Sequence, residues 1–341
     1  MPPRRFTVPG AHAPSIFLSG VLAVRKHLSP LIAALALLFA HVGTLRSQTP
    51  PQSPATFHFT VTSDIHLKTD AYAKVLDAMK ANSNGQGAFQ ICVGDVVDAA
   101  GQSLDVVRAV VDSRFGPQAL WYPVEGSHEI KSAPALQWLR DEFNKGNAGR
   151  PPLKNSIKNP GPPGCVETSY SFDYAHAHFV VLNEYFNGTA DKGADGDIVP
   201  ELLKWLDADL AANAQPMTFV FGHEPAFPSS RHVGNSLDAH PANRDAFWNT
   251  LVKYHVPAFF SGHTHYYYQE LHQGVYQICD GNVGKGTIEK HQTYLDVIVG
   301  PDQAQVKVWQ NDADGGTVWK VADTILLNAP KPPPLTKPST P

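Results

Sequence analysis

Short apolar runs and stretches of helical spacing alternate through the first half of this chain, and that rhythm constrains the fold more than any other feature. Phe57 to Ser63, Phe89 to Val93 and Leu120 to Val124 are apolar runs of strand length. The stretches after the first two, Ala71 to Ala81 and Leu104 to Phe115, repeat their apolar residues at helical intervals. A β-α-β-α-β start requires parallel strands covered by helices, because crossover connections place helices on the sheet faces. Further strands are expected within Ser169 to Asn183, which folds back around Ala175 to Ala177, and at Met217 to Phe221 and Ala258 to Ser261. Helices are expected over Pro200 to Ala212 and Ala242 to Tyr254. From Tyr266 onward the pattern is all strand: Tyr266 to Leu271, Val275 to Cys279, Tyr294 to Val299 and Val306 to Gln310. Early α/β units followed by antiparallel strands predict two packed sheets flanked by helices.

The ends of the chain read differently. Arg25, Lys26 and His27 precede an apolar run from Leu31 to Phe39, too short to span a bilayer and arranged like an export signal. Residues 1–47 are therefore expected to be a leader, and the Pro-rich 48–56 an extended linker. Residues 57–328 would form the folded domain. Six prolines among residues 329–341 exclude helix and central strand there, so that segment reads as a disordered tail. The Pro- and Gly-rich stretch from Asn144 to Val166 is expected to be an ordered surface loop or lid.

Charge limits the partners. Residues 1–63 hold five basic side chains and no acidic one, leaving 22 Lys+Arg against 31 Asp+Glu in the remainder. That balance argues against a basic nucleic-acid-binding face. Three cysteines form no even framework; Cys92 and Cys279 sit in apolar segments and are expected to be small buried strand residues. Trp205 and Trp248 read as core, and His176 and His178, flanking a turn, as solvated.

The chemistry emerges when His, Asp and Glu are placed on this map. Asp64 and His66 follow the first strand, Asp95 and Asp98 the second, His128 and Glu129 the third. His223 follows the Met217 strand, and His263 and His265 the Ala258 strand. Five strand ends each deliver a metal-competent group, and the carboxyl ends of strands are where sites form in open α/β sheets. Asp64-Ile65-His66 alone would be a loop cap with an exposed His and Gly94-Asp95 alone a turn; Gly262-His263-Thr264-His265 is stronger, because its two His project from the same side of an extended chain, and the order and spacing of all of them together point to a metal centre. Nitrogen and carboxylate ligands without thiolate suit Zn, Mn, Fe or similar divalent or trivalent ions. One carboxylate can bridge two such ions.

The set Asp64-x-His66, Gly94-Asp95-x-x-Asp98, Gly126-Ser127-His128-Glu129, Gly222-His223 and Gly262-His263-x-His265 resembles the calcineurin-like metallophosphoesterase superfamily. The segment Ser169 to Asn183, with Gly222-His223-Glu224-Pro225 and the run into Tyr266, is most similar to its purple-acid-phosphatase-like members. The resemblance implies a four-layer αββα sandwich of two mixed sheets with a dinuclear metal site. It implies that Asp64, His66 and His265 hold one ion, His223 and His263 the other, and that Asp95 bridges both. His128 would contact the phosphate or protonate the leaving oxygen, with Asp98 orienting it.

Two positions depart from the family pattern. Purple members carry Tyr where this chain has Asp98, so a colourless protein is expected. The family ligand Asn is replaced by Ser127, whose hydroxyl is shorter and weaker, so the second ion is expected to bind weakly. Arg231 and His232 are candidates for contact with a substrate phosphate, and Tyr266, Tyr267 and Tyr268 for wall residues.

The sequence thus points to an exported phosphoesterase, periplasmic or extracellular, acting on a phosphorylated small molecule or polymer. A nucleotide-pyrophosphatase-type hydrolase and a weakened, ligand-binding pseudoenzyme stay open as alternatives. No membrane span is expected after signal removal, and nothing in the chain specifies an oligomeric state.

Overall fold

A computed structural model describes residues 56–146, 149–284, 290–312 and 316–329. The leader, most of the linker and nearly all of the tail lie outside the described residues. Those described fall within one compact unit, Ser53–Pro341.

The first sheet begins with three parallel strands, β1 (Phe57–Thr62), β2 (Gln90–Cys92) and β3 (Trp121–Pro123). Helices α1 (Thr69–Asn82) and α2 (Asp105–Phe115) join them, and α3 (Ala133–Lys145) follows β3. The second sheet opens with β4 (Asn159–Pro160) and the hairpin of β5 (Tyr170–Tyr174) and β6 (Ala177–Val181). Helix α4 (Pro200–Ala212) leads to β7 (Met217–Phe221), and α5 (Pro241–Lys253) leads to β8 (Ala258–Ser261); β6, β7 and β8 are parallel. β9 (Tyr267–His272) and β10 (Val275–Asp280) complete it in the order β4-β5-β6-β7-β8-β10-β9. The chain then returns to the first sheet with β11 (Thr293–Val299), β12 (Gln303–Asn311) and β13 (Trp319–Asn328), giving the order β13-β12-β11-β1-β2-β3.

Three apolar layers hold four layers of structure together. Phe59, Val61 and Ile91 of the first sheet pack against Phe172, Phe179 and Phe219 of the second. On one outside, Val75 and Met79 of α1 and Val107 and Val111 of α2 cover Cys92 and Trp121. On the other, Leu202 and Leu206 of α4 and Phe247 and Leu251 of α5 cover Val180, Val220 and Phe259. This is the expected αββα sandwich. Buried on both faces, β6 and β7 explain why their runs are continuously apolar rather than alternating.

Most expected elements fall within a residue or two of their observed bounds. α3 and β13 are additional. α3 carries Leu136, Leu139 and Phe143 as its inward stripe after Pro134 in the first turn, but Gln137, Arg140, Asp141 and Glu142 interrupt the apolar signal. β13 is exposed at most positions, so it offers little alternation before Ile325 and Leu327. Between α3 and β5, the chain forms a short 3-10 turn and β4, tied down by Arg150 to Glu142 and by Asn159 to Asp209. All three cysteines are buried and free, Cys92 and Cys279 on strands as expected.

Three expectations need correction. His176 is half-buried, its ring edge-on to Phe57 with centroids 5.4 Å apart and its Nε2 shielded from solvent. Trp205 is only partly buried and donates to the Pro160 carbonyl at the sheet edge (2.9 Å). His178 is buried rather than solvated, because its ring bridges two carboxylates, Nδ1 to Asp173 at 2.6 Å and Nε2 to Asp209 at 2.8 Å. Burial is the largest influence on Asp209 and would raise its pKa; His178, Ser171 and Asn159 outweigh it and hold the carboxyl low. Asp173 is likewise held low, with Lys158 and His178 outweighing burial.

A depressed carboxylate stabilises the fold above its unfolded pKa and stops doing so as pH falls through its folded value. His178→Ala should therefore cost about 3 kcal/mol at pH 7, the scale of breaking a buried pair. That deficit should shrink below about pH 4, where carboxylates of unfolded chains protonate. Urea denaturation at both pH values checks this.

Candidate metal centre

The loops after β1, β2, β3, β7 and β8 meet at one edge of the sandwich. Asp64, His66, Asp95, His263 and His265 all have positive φ, between 47° and 67°. Non-glycine residues rarely adopt this conformation, and such strain persists only where surrounding structure enforces it. The enforcement is visible as lacing between loops. Asp64 N donates to Gly94 O (3.1 Å), His66 N to Asp95 O (2.9 Å) and Gly262 N to His223 O (2.9 Å). His263 N donates to Asp64 Oδ2 (3.0 Å), joining the two sheets. A Cβ at Gly94 would run into the His223 ring, and one at Gly222 into the Glu184 carboxylate, so these glycines before ligands permit close approach.

Two carboxylates that the sequence analysis gave no role complete the lacing. Glu129 accepts the N–H groups of Asp95, Val97 and Gly126, each at 2.9 Å. Burial, then Asp95, pushes its pKa up to about 7. Glu184 accepts those of His223 (2.9 Å) and Glu224 (2.6 Å), and burial followed by Glu224 pushes it up to about 8. The available signals were Glu129 directly after His128, and an acidic residue closing the apolar run of β6.

Three ligand-competent groups result: His66, Asp98 and His128 bring ligand atoms within 4.8 Å of one another, and two further sets share Asp95. The first of these two sets is Asp64, His66, Asp95 and His265, and the second is Asp95, His223 and His263. In the first, Asp64 Oδ1 lies 3.1 Å from His265 Nε2 and 3.7 Å from His66 Nε2, and those two nitrogens face each other at 3.2 Å. In the second, His223 Nε2 lies 3.3 Å from Asp95 Oδ2 and 3.2 Å from His263 Nδ1. Asp95 belongs to both.

The donor chemistry fits cations. A carbonyl can only accept, so His223 Nδ1 donates to Val93 O (2.8 Å) and His263 Nε2 to Asn235 O (3.1 Å). In the neutral rings this leaves His223 Nε2 and His263 Nδ1 as lone pairs turned inward, the outer hydrogen bond that metal-binding imidazoles use. Asp64 Oδ1 is buried without a hydrogen-bond donor. Burial is the largest influence on Asp64 and Asp95 and would raise both; it is outweighed, chiefly by His265 at Asp64 and by His223 at Asp95, which hold them low. His223 is raised despite burial, by Asp95 and Asp64, whereas burial and then His223 push His263 down to about 3.

The remaining expected residues border these sets. Ser127 Oγ donates toward both Asp95 oxygens (3.3 and 3.2 Å). His128 N donates to Asp95 Oδ1 (2.9 Å), and its Nε2 lies 3.8 Å from Asp95 Oδ2. Asp98 reaches His128 through its main-chain carbonyl, which accepts from Nδ1 at 2.7 Å, while its carboxylate lies 3.4 Å from His66 Nδ1. The Asp98 carboxylate is also within 4.8 Å of a His128 ring nitrogen, so main chain and side chain of Asp98 both border this imidazole. Arg231 Nη1 donates to His263 O (3.2 Å), and the His232 ring lies 3.9 Å from that of His263.

A family profile described as calcineurin-like phosphoesterase matches residues 57–267. The chain belongs to the calcineurin-like phosphoesterase family. An acid phosphatase from Aspergillus ficuum is 26% identical over 223 residues, covering 50% of this chain and 34% of that protein, so the chain spans about a third of its relative's length. Among solved structures, a dimetal phosphatase from Danio rerio aligns with a TM-score of 0.58 at 15% identity, covering 82% of this chain and all of that one. PhoD aligns with a TM-score of 0.55 at 12% identity, covering 80% of this chain and 70% of that one. These two likenesses establish the fold of this phosphoesterase-family member. Its candidate dimetal site lies at the strand ends common to both ligand sets.

Asp95→Ala should remove a ligand from both sets and strip both ions. Glu129→Ala keeps every ligand but releases the Asp95 loop, and should weaken metal binding about 10- to 100-fold, the scale of losing an outer partner. Metal analysis of the purified variants checks both outcomes.

Proposed function

We propose that this chain is an exported, metal-dependent phosphoesterase, of the purple-acid-phosphatase-like kind but lacking its tyrosine, that hydrolyses a phosphomonoester or phosphodiester. The observation that carries the reading is one carboxylate, Asp95, shared by two sets of inward-facing imidazoles. Asp64, His66, His265 and Asp95 would hold one cation, and Asp95, His223 and His263 the other, with the Ser127 hydroxyl beside it. When bound, such ions supply positive charge for phosphoryl oxygens and acidify a water.

The chain's own residues do the rest. His128 is held through Nδ1–H by the Asp98 carbonyl, which turns Nε2 toward Asp95. A protonated ring would give its Nε2 proton to the departing alkoxide and return to the neutral form, keeping Nδ1–H on Asp98. Arg231 and His232 would contact the substrate phosphate, with Arg suited to bidentate pairing. Export rests on the run from Leu31 to Phe39, and no described helix is long and apolar enough to cross a membrane. N-terminal sequencing of protein recovered outside the cytoplasm tests it.

If His128 protonates the leaving group, His128→Ala should slow alkyl phosphates more than nitrophenyl phosphates, whose leaving groups need no proton. The difference should be about 10²- to 10⁴-fold, the usual size of a general-acid contribution. Equal losses on both substrates would assign His128 to phosphate binding.

Ser127 carries the competing reading of a weakened, ligand-binding chain, since its hydroxyl donates to Asp95. Wild type should hold one ion tightly and lose a second on dialysis. Ser127→Asn should tighten that second ion by roughly 10- to 100-fold and raise turnover at limiting Mn²⁺. Superimposable titrations of the two proteins would show that Ser127 is an adequate ligand.

A further inference from the structure

The loop that carries Arg231 and His232 is strapped to the second sheet by side chains. Gln277, fully buried on β10, accepts from Phe227 N at its Oε1 (2.8 Å) and donates from Nε2 to Phe227 O (2.8 Å). It thereby pairs with both backbone groups of one residue, as a neighbouring strand would. Tyr268 donates to the same carbonyl (3.1 Å). Three residues on, the Tyr266 hydroxyl accepts from Ser230 N (2.9 Å) and bonds Ser229 Oγ (2.6 Å), and its ring stacks on Tyr268. Arg231 follows immediately. It is half-buried, with one guanidinium nitrogen on the carbonyl of the candidate ligand His263. Burial lowers its pKa, and Asp64 and Asp95 oppose that shift.

Resting on the phosphoesterase reading above, we infer that Arg231, preset by the Tyr266 strap, selects phosphomonoesters over phosphodiesters. The reason is the count of oxygens. A diester has two non-bridging oxygens and one negative charge; a monoester dianion has three and two. Cations held by the two sets around Asp95 would supply positive charge for two non-bridging oxygens of either substrate. A fixed guanidinium at the rim then finds a further charged acceptor only on the monoester, and charge-assisted hydrogen bonds are the strong ones. Facing a diester, the same group meets an esterified oxygen with little charge and a bulky substituent. Because Ser229 and Ser230 are already fastened, little ordering of the loop remains to be done on binding, so the preference is expressed in affinity. Tyr266 is here a positioning residue, acting only through Arg231.

The test uses the Zn²⁺-loaded full chain, with p-nitrophenyl phosphate and bis(p-nitrophenyl) phosphate as substrates, and inorganic phosphate and dimethyl phosphate as ligands. Arg231→Ala should lower kcat/KM for the monoester roughly 10- to 100-fold, mainly through KM, the scale of losing a hydrogen bond to a charged group. The diester should change by less than about threefold, a shift below the usual value of one neutral hydrogen bond. Phosphate binding, measured calorimetrically, should weaken in parallel while dimethyl phosphate does not. Tyr266→Phe should shift the monoester preference the same way by a smaller factor with unchanged metal content, and should add nothing in the Arg231→Ala background. Equal losses on monoester and diester, or additive effects of the two substitutions, would overturn the inference. Should wild type bind phosphate in preference to dimethyl phosphate yet hydrolyse neither ester, the phosphoesterase reading fails while the selectivity stands, provided Arg231→Ala abolishes that preference.

Discussion

Buried carboxylates grip the backbones of the ligand loops. Glu129 takes three N–H groups around Asp95, Glu184 takes two around His223, and Asp64 takes that of His263. Each carboxyl group would be costly to bury unpaired, and each offsets part of that cost with backbone hydrogen bonds. The arrangement has a geometric result as well. An N–H captured from a neighbouring strand end fixes where its residue starts, and the positive φ of Asp64, Asp95 and His263 then fixes where the side chain goes. Ligand placement is therefore decided before any ion arrives, by contacts between loops rather than within them.

That division of labour explains what could be read in the chain. Asp64, His66, Asp95, His223, His263 and His265 were legible because each stands directly after an apolar run, and strand ends are set by local pattern. Glu184 also closes an apolar run, that of β6, but nothing near it in sequence announces that its partner is a backbone N–H 39 positions away. His178 failed for the same reason: a turn flank reads as solvated until α4 brings Asp209 beneath it.

The fold followed a similar line. β6, β7 and β8 were plain because they lie in the middle of a covered sheet, where both faces demand apolar residues. α3 and β13 escaped because their environments are mixed; α3 shows polar residues between its buried ones, and β13 is an edge strand with one face largely in solvent. Chain segments at the periphery obey weaker sequence rules than those at the centre, and tertiary partners supply the difference.

The connectivity of the first sheet has a temporal side. β1 lies at its middle, hydrogen-bonded on one edge to β2 but on the other to β11, with Phe57 opposite Val299. A chain emerging N-terminus first therefore carries a half-paired central strand until nearly all of the domain has followed it. Pairings of such long sequence separation are slow to form, because loop closure must precede the contacts that reward it. The same wait means that Asp64 and His66, which hang from the end of β1, meet His263 and His265 only late. The ligand cluster likewise joins residues far apart in the chain, Asp64 and His263 being 199 positions apart, and a chain interrupted before β11 would present its first ligands on an unfinished sheet.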